Sequence, residues 1–263
     1  MKRQDDEQTD PKKIIAGYWD LRSRSYSKGV TDFRDEENEI WKRCLAPFIT
    51  DIRLRKALDV GSGTGFLSYL LDDMGVDVTC LDLSRGMLAQ AREALLQKRR
   101  NADLFQGDAE ALPFRSSCFD IVASRHLLWT LPDPGKALAE WMRVLKPGGR
   151  ILAIDGNWFD PTVSKRLGRG LSSLLASFSQ SRNPVPFHKF YDPVWQELPL
   201  YRACGPEKYL AFFEDAGVEN VTIDRLSEAN GFYKSHTSLS YRLANAGTLF
   251  LVTGEKGKQE TKS

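Results

Sequence analysis

The sequence predicts an α/β protein built on a doubly wound, mostly parallel sheet of seven strands. From Lys56 to Asp155, short apolar segments alternate with segments whose apolar residues recur at helical spacing. Strict alternation of strands and helices is typical of a parallel sheet with helices on both faces. A glycine-rich turn follows the first apolar segment, and two further apolar segments follow a helical segment near the end of the chain.

The first part of this pattern contains five predicted strands, at 56–60, 76–83, 102–108, 119–124 and 150–155. The helices between them are predicted at 67–74, 84–99 and 134–145. Ser84 is a suitable N-cap for the second of these helices. The lysine, proline and glycines at 146–149 are typical of a helix end followed by a turn, and we therefore expect the third helix to end there.

The segment 156–205 lacks a strand pattern and is rich in aromatic and basic residues. It follows the fifth strand, at the carboxyl edge where open α/β sheets bind ligands. We therefore expect a helical lid over a substrate; the alternative is a satellite core with solvated basic residues. The remaining elements are a predicted helix at 206–216 and strands at 218–226 and 248–256, which complete the sheet.

The composition of the chain argues against several kinds of partner and site. The chain has 263 residues, with 37 Lys+Arg against 35 Asp+Glu, a formal net charge of +2. Because affinity for nucleic acid depends on the number of phosphates neutralised, this balance argues against a nucleic-acid partner. The four cysteines have no C-x-x-C spacing, so no metal site or disulfide framework is expected. No signal peptide and no apolar run of the ~18 residues that span a membrane is visible, which predicts a cytoplasmic protein without a membrane partner.

The turn after the first strand reads D-x-G-x-G-x-G, from Asp59 to Gly65. Glycines allow the backbone to turn tightly and to approach a ligand closely. A dinucleotide dehydrogenase has G-x-G-x-x-G instead, so an NAD-dependent oxidoreductase is the weaker alternative. The second strand ends in Asp82, whose carboxylate can accept hydrogen bonds from both hydroxyls of a ribose. The third strand ends in Asp108-Ala109, where a carboxylate and backbone amides can recognise an adenine edge.

Five motifs in the same order resemble the class I S-adenosylmethionine-dependent methyltransferases. They are LDVGSGTGFLSYLL, CLDLSRGMLAQAR, GDAEALPF, FDIVAS and VLKPGGRILAID. The similarity is greatest to the small-molecule branch related to ubiquinone and menaquinone methyltransferases. It implies a Rossmann-like fold, S-adenosyl-L-methionine as cofactor and S-adenosyl-L-homocysteine as product. On this resemblance, residues 1–50 form an N-terminal helical cover, 51–155 the cofactor-binding core, 156–205 the lid, and 206–263 the C-terminal part of the core.

The resemblance also implies roles for individual residues. Asp59 would hold the methionine amino group directly or through water, and Asp82 the ribose, while the glycines of the turn approach the cofactor. The glycines concerned are Gly61, Gly63 and Gly65. The adenine would be contacted by Leu83, Met87, Asp108 and Ala109. The floor beneath the methionine would be formed by Ser124 and Arg125. The methionine end would be covered by an N-terminal helix that carries Trp19 and Tyr26.

Several of these residues have a structural alternative. Gly65 could serve only the packing of helix against strand, and Met87 only the core. Asp59 could cap the next helix, and Asp82 could be a plain turn residue. Trp19 and Tyr26 could belong to an amphipathic helix that packs on the domain, and packing is the favoured role for Trp41.

The acceptor is expected to be a small molecule, aromatic and anionic in character. The loop at 124–130 lacks the N/D-P-P-Y/F motif of many enzymes that methylate amino groups of DNA or protein, which leaves an RNA or protein methyltransferase as the weaker alternative. His126 is the candidate catalytic residue, as general base or substrate contact, with a structural hydrogen bond as its alternative. Basic residues of the lid are candidates for an anionic group: Arg166, Arg169, Arg182 and His188. A non-catalytic module that keeps the cofactor fold also stays open.

Overall fold

Seven strands form one sheet in the order β3-β2-β1-β4-β5-β7-β6 in the computed structural model. The structure describes residues 10–30, 35–49, 56–100, 102–157, 190–201, 205–237, 239, 242 and 247–258. The strands are β1 Lys56–Val60, β2 Asp77–Asp82, β3 Asp103–Gln106, β4 Phe119–Arg125, β5 Leu145–Gly156, β6 Glu219–Asp224 and β7 Leu249–Glu255. In this described sheet β7 pairs antiparallel with both β5 and β6, and the four other strand pairs are parallel. The predicted doubly wound, mostly parallel sheet is therefore confirmed.

Seven helices of the described residues surround this sheet. They are α1 Pro11–Val30, α2 Asp35–Ile49, α3 Phe66–Asp73, α4 Arg85–Gln97, α5 Pro134–Val144, α6 Pro206–Asp215 and α7 Ser227–His236. Ser84 is the N-cap of α4, as predicted, because its Oγ accepts a hydrogen bond from the backbone N–H of Met87 at 3.0 Å. The cap satisfies one of the amide groups that the first turn of a helix leaves without a partner.

A hydrophobic core lies on each face of the sheet. Successive side chains of a strand point to opposite faces, so the neighbours Ala57 and Leu58 belong to different cores. Helices α1, α5 and α6 contribute to the core that contains Leu58, and α2, α3 and α7 to the other. Trp41 is fully buried in the second core, against Phe66, which agrees with its predicted packing role.

The sequence prediction was wrong at two places. Residues 146–149 form a bulge within β5 rather than a turn before it. Phe119 pairs with Leu145 and Ile121 with Arg150, so the four residues 146–149 of β5 lie opposite a single residue of β4. The turn chemistry is still used there, since Gly148 has a φ of 75° and donates its N–H to Lys256 O. Helix α7 was not predicted, since within it only Ala229 and Phe232 are buried, too few for a clear helical period.

Most of the predicted lid lies outside the described residues, including Arg166, Arg169, Arg182 and His188. The helical lid therefore stays a prediction. Its last part is described, and there Tyr191 and Tyr201 are buried, with ring centroids 5.8 Å apart. In the described parts of the chain, no helix has the length and hydropathy needed to cross a membrane.

Candidate functional site

A cavity opens at the carboxyl edge of the sheet, beneath α1. It encloses about 820 Å³, counting the part open to solvent. Ligands of open α/β sheets bind at this edge. Most of the predicted site residues line its wall: Trp19, Tyr26, Gly61, Gly63, Asp82, Leu83, Met87, Asp108, Ala109, Arg125 and His126. Asp59, Gly65 and Ser124 are not in the wall.

The glycine turn approaches the cavity through its backbone. Gly61 and Gly63 have φ values of 67° and 55°, a region that favours glycine. A Cβ on Gly61 would lie 2.7 Å from Leu127 Cδ1, so a side chain there would displace the opposite wall. Gly65 has a different function: a Cβ there would lie 3.3 Å from the Cβ of Ala91 in α4, which matches the packing alternative.

Asp82 lies at the end of β2 with both carboxylate oxygens anchored to backbone. Oδ1 accepts from the N–H of Ser84 and Oδ2 from the N–H of Gly63, each at 2.8 Å. Burial raises the pKa of Asp82 to about 6, against the lowering effect of these two hydrogen bonds. Each oxygen retains a further lone pair, so the carboxylate can accept from a pair of ligand hydroxyls.

Asp59 lies deeper, beneath the glycine turn, with 1% of its surface exposed. Its Oδ2 accepts from Ser68 Oγ at 2.5 Å, whereas Oδ1 has no hydrogen-bond partner among the described residues. Burial raises the pKa of Asp59 to about 7. A buried carboxylate oxygen without a donor is costly, and a ligand that brings a positively charged donor would satisfy it. Ser124 is equally buried, at the end of β4.

Arg125, the last residue of β4, and His126 after it form the next part of the wall. The Arg125 guanidinium lies over the ring of Phe66 at 4.3 Å and over that of Trp41 at 5.2 Å, which leaves its charge near the cavity. His126 Nδ1 lies 3.9 Å from Oδ1 of Asp155. Burial and the neighbouring Arg125 lower the pKa of His126, and Asp155 opposes them.

Lys12 of α1 reaches the other end of the wall. Its Nζ lies 2.7 Å from Asp108 Oδ2 and 2.5 Å from Glu110 Oε2. Met87 is buried and also lines the cavity, so it contacts both the core and the site. Sequence reasoning missed Lys12, because a lone lysine at the start of an amphipathic helix carries no signal of its distant carboxylate partners.

Helix α1 is docked on the N-terminus of α4. Asp20 Oδ1 accepts from Ser84 Oγ at 2.6 Å and from the N–H of Gly86 at 2.8 Å, and a negative charge is favourable at this end of a helix. Gly86 permits the contact, since a Cβ there would lie 2.7 Å from Ser23 Oγ. Beyond it, Trp19 Nε1 donates to the hydroxyl of Tyr191 at 3.1 Å. None of these partners was predicted, because they meet only through tertiary packing.

The chain is similar to known proteins in sequence and in structure. A family model described as "Methyltransferase domain" matches residues 58–153. The ubiquinone/menaquinone biosynthesis C-methyltransferase UbiE of Yersinia pestis is 32% identical over 227 residues, 81% of this chain and 83% of that protein. The demethylmenaquinone methyltransferase of Renibacterium salmoninarum is 38% identical over 115 residues, 44% of this chain and 47% of that protein, so this match spans about half its length.

The fold has the same kind of neighbours. The solved structure of Haemonchus contortus phosphoethanolamine N-methyltransferase 2, in complex with S-adenosyl-L-methionine, superposes with a TM-score of 0.56. The two chains are 18% identical, and the match covers 90% of this chain and 60% of that one. At this identity the likeness establishes the fold alone.

Proposed function

Because this chain belongs to the class I S-adenosylmethionine-dependent methyltransferases and resembles UbiE, we propose that it methylates a ring carbon of a small hydroxylated aromatic acceptor, such as a quinone precursor. The chain is an enzyme of this class and uses S-adenosyl-L-methionine. The C-methyltransferase relative from Yersinia supports the carbon acceptor, since the match covers most of both chains.

One observation carries the proposal: the order of the polar groups along the carboxyl edge. Asp108 follows β3, Asp82 ends β2, Asp59 lies near the end of β1, and His126 follows β4. The strands are adjacent in this same order. An extended ligand with a base, a ribose and a charged amino acid would meet these groups in turn, with the reacting end near His126.

The residues of the wall are suited to hold this cofactor. Asp108 and Ala109 would recognise the adenine, Leu83 and Met87 pack on it, and Asp82 accept the ribose hydroxyls. Beneath the wall, the unpaired Oδ1 of Asp59 would accept from the amino group directly or through a water, and the backbone at Gly61 and Gly63 leaves room for close approach. When bound, S-adenosyl-L-methionine supplies an electrophilic methyl group on a positively charged sulfur. The contribution of the chain is then alignment and exclusion of water.

The acceptor would lie between α1 and the end of β4. Trp19, Tyr26 and Leu127 give this part of the wall an apolar and aromatic character. His126 would accept the hydroxyl proton of the acceptor, which leaves a phenolate whose ring carbon is a strong nucleophile. The positive charge of Arg125 in the same wall favours such an anion.

The proposal is tested by measuring S-adenosylhomocysteine formation with three acceptors. These are short-chain demethylmenaquinone in its reduced form, the same compound in its oxidised form, and phosphoethanolamine. We expect product only with the reduced quinone, because only this form carries ring hydroxyls. Turnover of phosphoethanolamine instead would overturn the proposed acceptor, and cofactor binding without transfer to any of the three would favour the non-catalytic module.

We expect His126→Gln to lower kcat by about 100-fold or more, since glutamine cannot take up a proton and general base catalysis typically contributes this much. The dissociation constant of S-adenosylhomocysteine should remain unchanged. The matched control is His236→Gln, because His236 lies on α7, outside the cavity wall. Equal activity of the two variants in steady-state assays would show that His126 is not the base.

A further inference from the structure

Asp155 is a buried carboxylate next to the site that sequence reasoning did not select. It lies near the end of β5, with 1% of its surface exposed. Its Oδ1 accepts from the N–H of Gly156 at 2.8 Å, and its Oδ2 accepts from the hydroxyl of Tyr209 at 3.2 Å. Tyr209 belongs to α6 and is itself buried. The carboxylate is therefore held from two sides, with His126 Nδ1 3.9 Å away.

The backbone brings His126 to this carboxylate. His126 has a φ of 60°, the left-handed region that non-glycine residues rarely adopt. Its N–H donates to the carbonyl of Ile154 at 2.8 Å, the residue directly before Asp155. This bond ties the end of β4 to β5 where the carboxylate lies. A strained conformation that is held by such a contact is a feature of functional sites.

We propose that Asp155, held by Tyr209, is a positioning residue that keeps the proton of the neutral His126 ring on Nδ1 and leaves Nε2 to accept a proton from the methyl acceptor. The inference rests on the proposed function. A neutral imidazole carries one N–H, and a nearby carboxylate favours the tautomer that directs this N–H toward it. In this tautomer Nε2 is the ring nitrogen that carries the lone pair and acts as the base.

The proton transfer is balanced. The hydroxyl proton of the acceptor moves to Nε2 of His126, and the electron pair of the broken O–H bond stays on the acceptor as a phenolate. The ring becomes an imidazolium, whose charge is offset by Asp155. Among the residues that the structure describes, the charged groups around His126 are Arg125 of β4 and Asp155 of β5, with the hydroxyl of Tyr209 of α6 behind Asp155 and Lys12 of α1 in the same cavity wall. Burial and Arg125 lower the pKa of His126, so the ring is ready to accept a proton at neutral pH.

The test is ¹⁵N NMR of the histidine ring nitrogens in the full-length protein, together with steady-state kinetics. His126 is assigned by comparison with His126→Gln. In the wild type we expect the Nδ1–H tautomer. In Asp155→Asn we expect a shift toward the Nε2–H tautomer, a lower His126 pKa, and a kcat reduced about ten-fold or more, with an unchanged KM for S-adenosyl-L-methionine.

Two further variants separate positioning from folding. Tyr209→Phe removes one hydrogen bond to Asp155. We expect kcat to fall two- to ten-fold, which corresponds to the free energy of about one net hydrogen bond. Asp215→Asn neutralises an exposed carboxylate at the end of α6, the helix that carries Tyr209, and should change neither the tautomer nor kcat.

The inference is overturned if Asp155→Asn keeps both the tautomer and the pH profile of kcat, even when its melting temperature falls, because that is the result of a structural role. A tautomer shift in a protein that methylates none of the tested acceptors would support the positioning by Asp155 and would overturn the proposed acceptor instead. The NMR measurement needs no acceptor, so the two failures are distinguishable.

Discussion

Two carboxylates at the carboxyl edge of the sheet, the buried Asp59 and the half-buried Asp82, oppose folding when they are ionised. Burial raises the pKa of both. The sequence pointed to both residues, because a carboxylate at the end of an apolar strand is costly unless a partner or ligand satisfies it. It did not indicate their depth: Asp82 reaches the cavity wall, whereas Asp59 lies beneath it. Such groups are expected at sites that trade stability for binding.

The ionisation of Asp59 gives a prediction for stability. Its folded pKa is about 7, above the ordinary value of 3.8. The folded state therefore binds the proton more tightly, and this contribution to stability is present below about pH 4 and lost as pH rises through 7. Asparagine does not ionise. We expect the free energy of unfolding of Asp59→Asn, relative to wild type, to rise between pH 4 and 8 by up to about 4 kcal/mol.

Urea unfolding without ligand at both pH values measures this difference. The same variant should bind S-adenosylhomocysteine more weakly, because it lacks the charge that would pair with the amino group. A stability difference that is independent of pH would show that Asp59 is ionised in the folded protein at all these pH values.

At the scale of the elements, the contact between α1 and α4 determines how the cavity is covered. The sequence predicted both helices and the N-cap Ser84. It did not predict that Asp20 would accept from that same cap, since the two residues meet only when the sheet has formed. The close approach depends on Gly86.

Gly86→Ala and Gly17→Ala form a matched pair. A Cβ at Gly86 would lie 3.1 Å from the backbone oxygen of Asp20, so we expect α1 to be displaced and the affinity for S-adenosylhomocysteine to fall about ten-fold, despite the better helix propensity of alanine. A Cβ at Gly17 would meet no atom within 4 Å, so Gly17→Ala should stabilise the protein by about 0.5–1 kcal/mol with unchanged affinity.

Hydrogen exchange of residues 11–30 reports the displacement directly. Exchange should be faster in Gly86→Ala than in wild type, and no faster in Gly17→Ala. Identical exchange and affinity in the two variants would mean that α1 is not held through this contact.

For the whole molecule, the sequence predicted the strands, their parallel arrangement and the edge that forms the site. These follow from local periodicity and from the alternation of elements. The bulge at 146–149 was missed because a bulge is defined by its pairing with the neighbouring strand. Helix α7 was missed because it has few buried residues. Lys12, Asp20 and Asp155 were missed for a related reason: their partners are distant in sequence, and single polar residues carry no periodic signal.

We infer that the cavity beneath α1 binds the cofactor, with Asp82 on the ribose. Calorimetric titration of S-adenosylhomocysteine into wild type and Asp82→Ala tests it most directly. We predict binding to the wild type and an affinity reduced about 100-fold or more in the variant, as expected for the loss of two hydrogen bonds to a charged group. Equal binding by a variant with an unchanged circular dichroism spectrum would contradict the account.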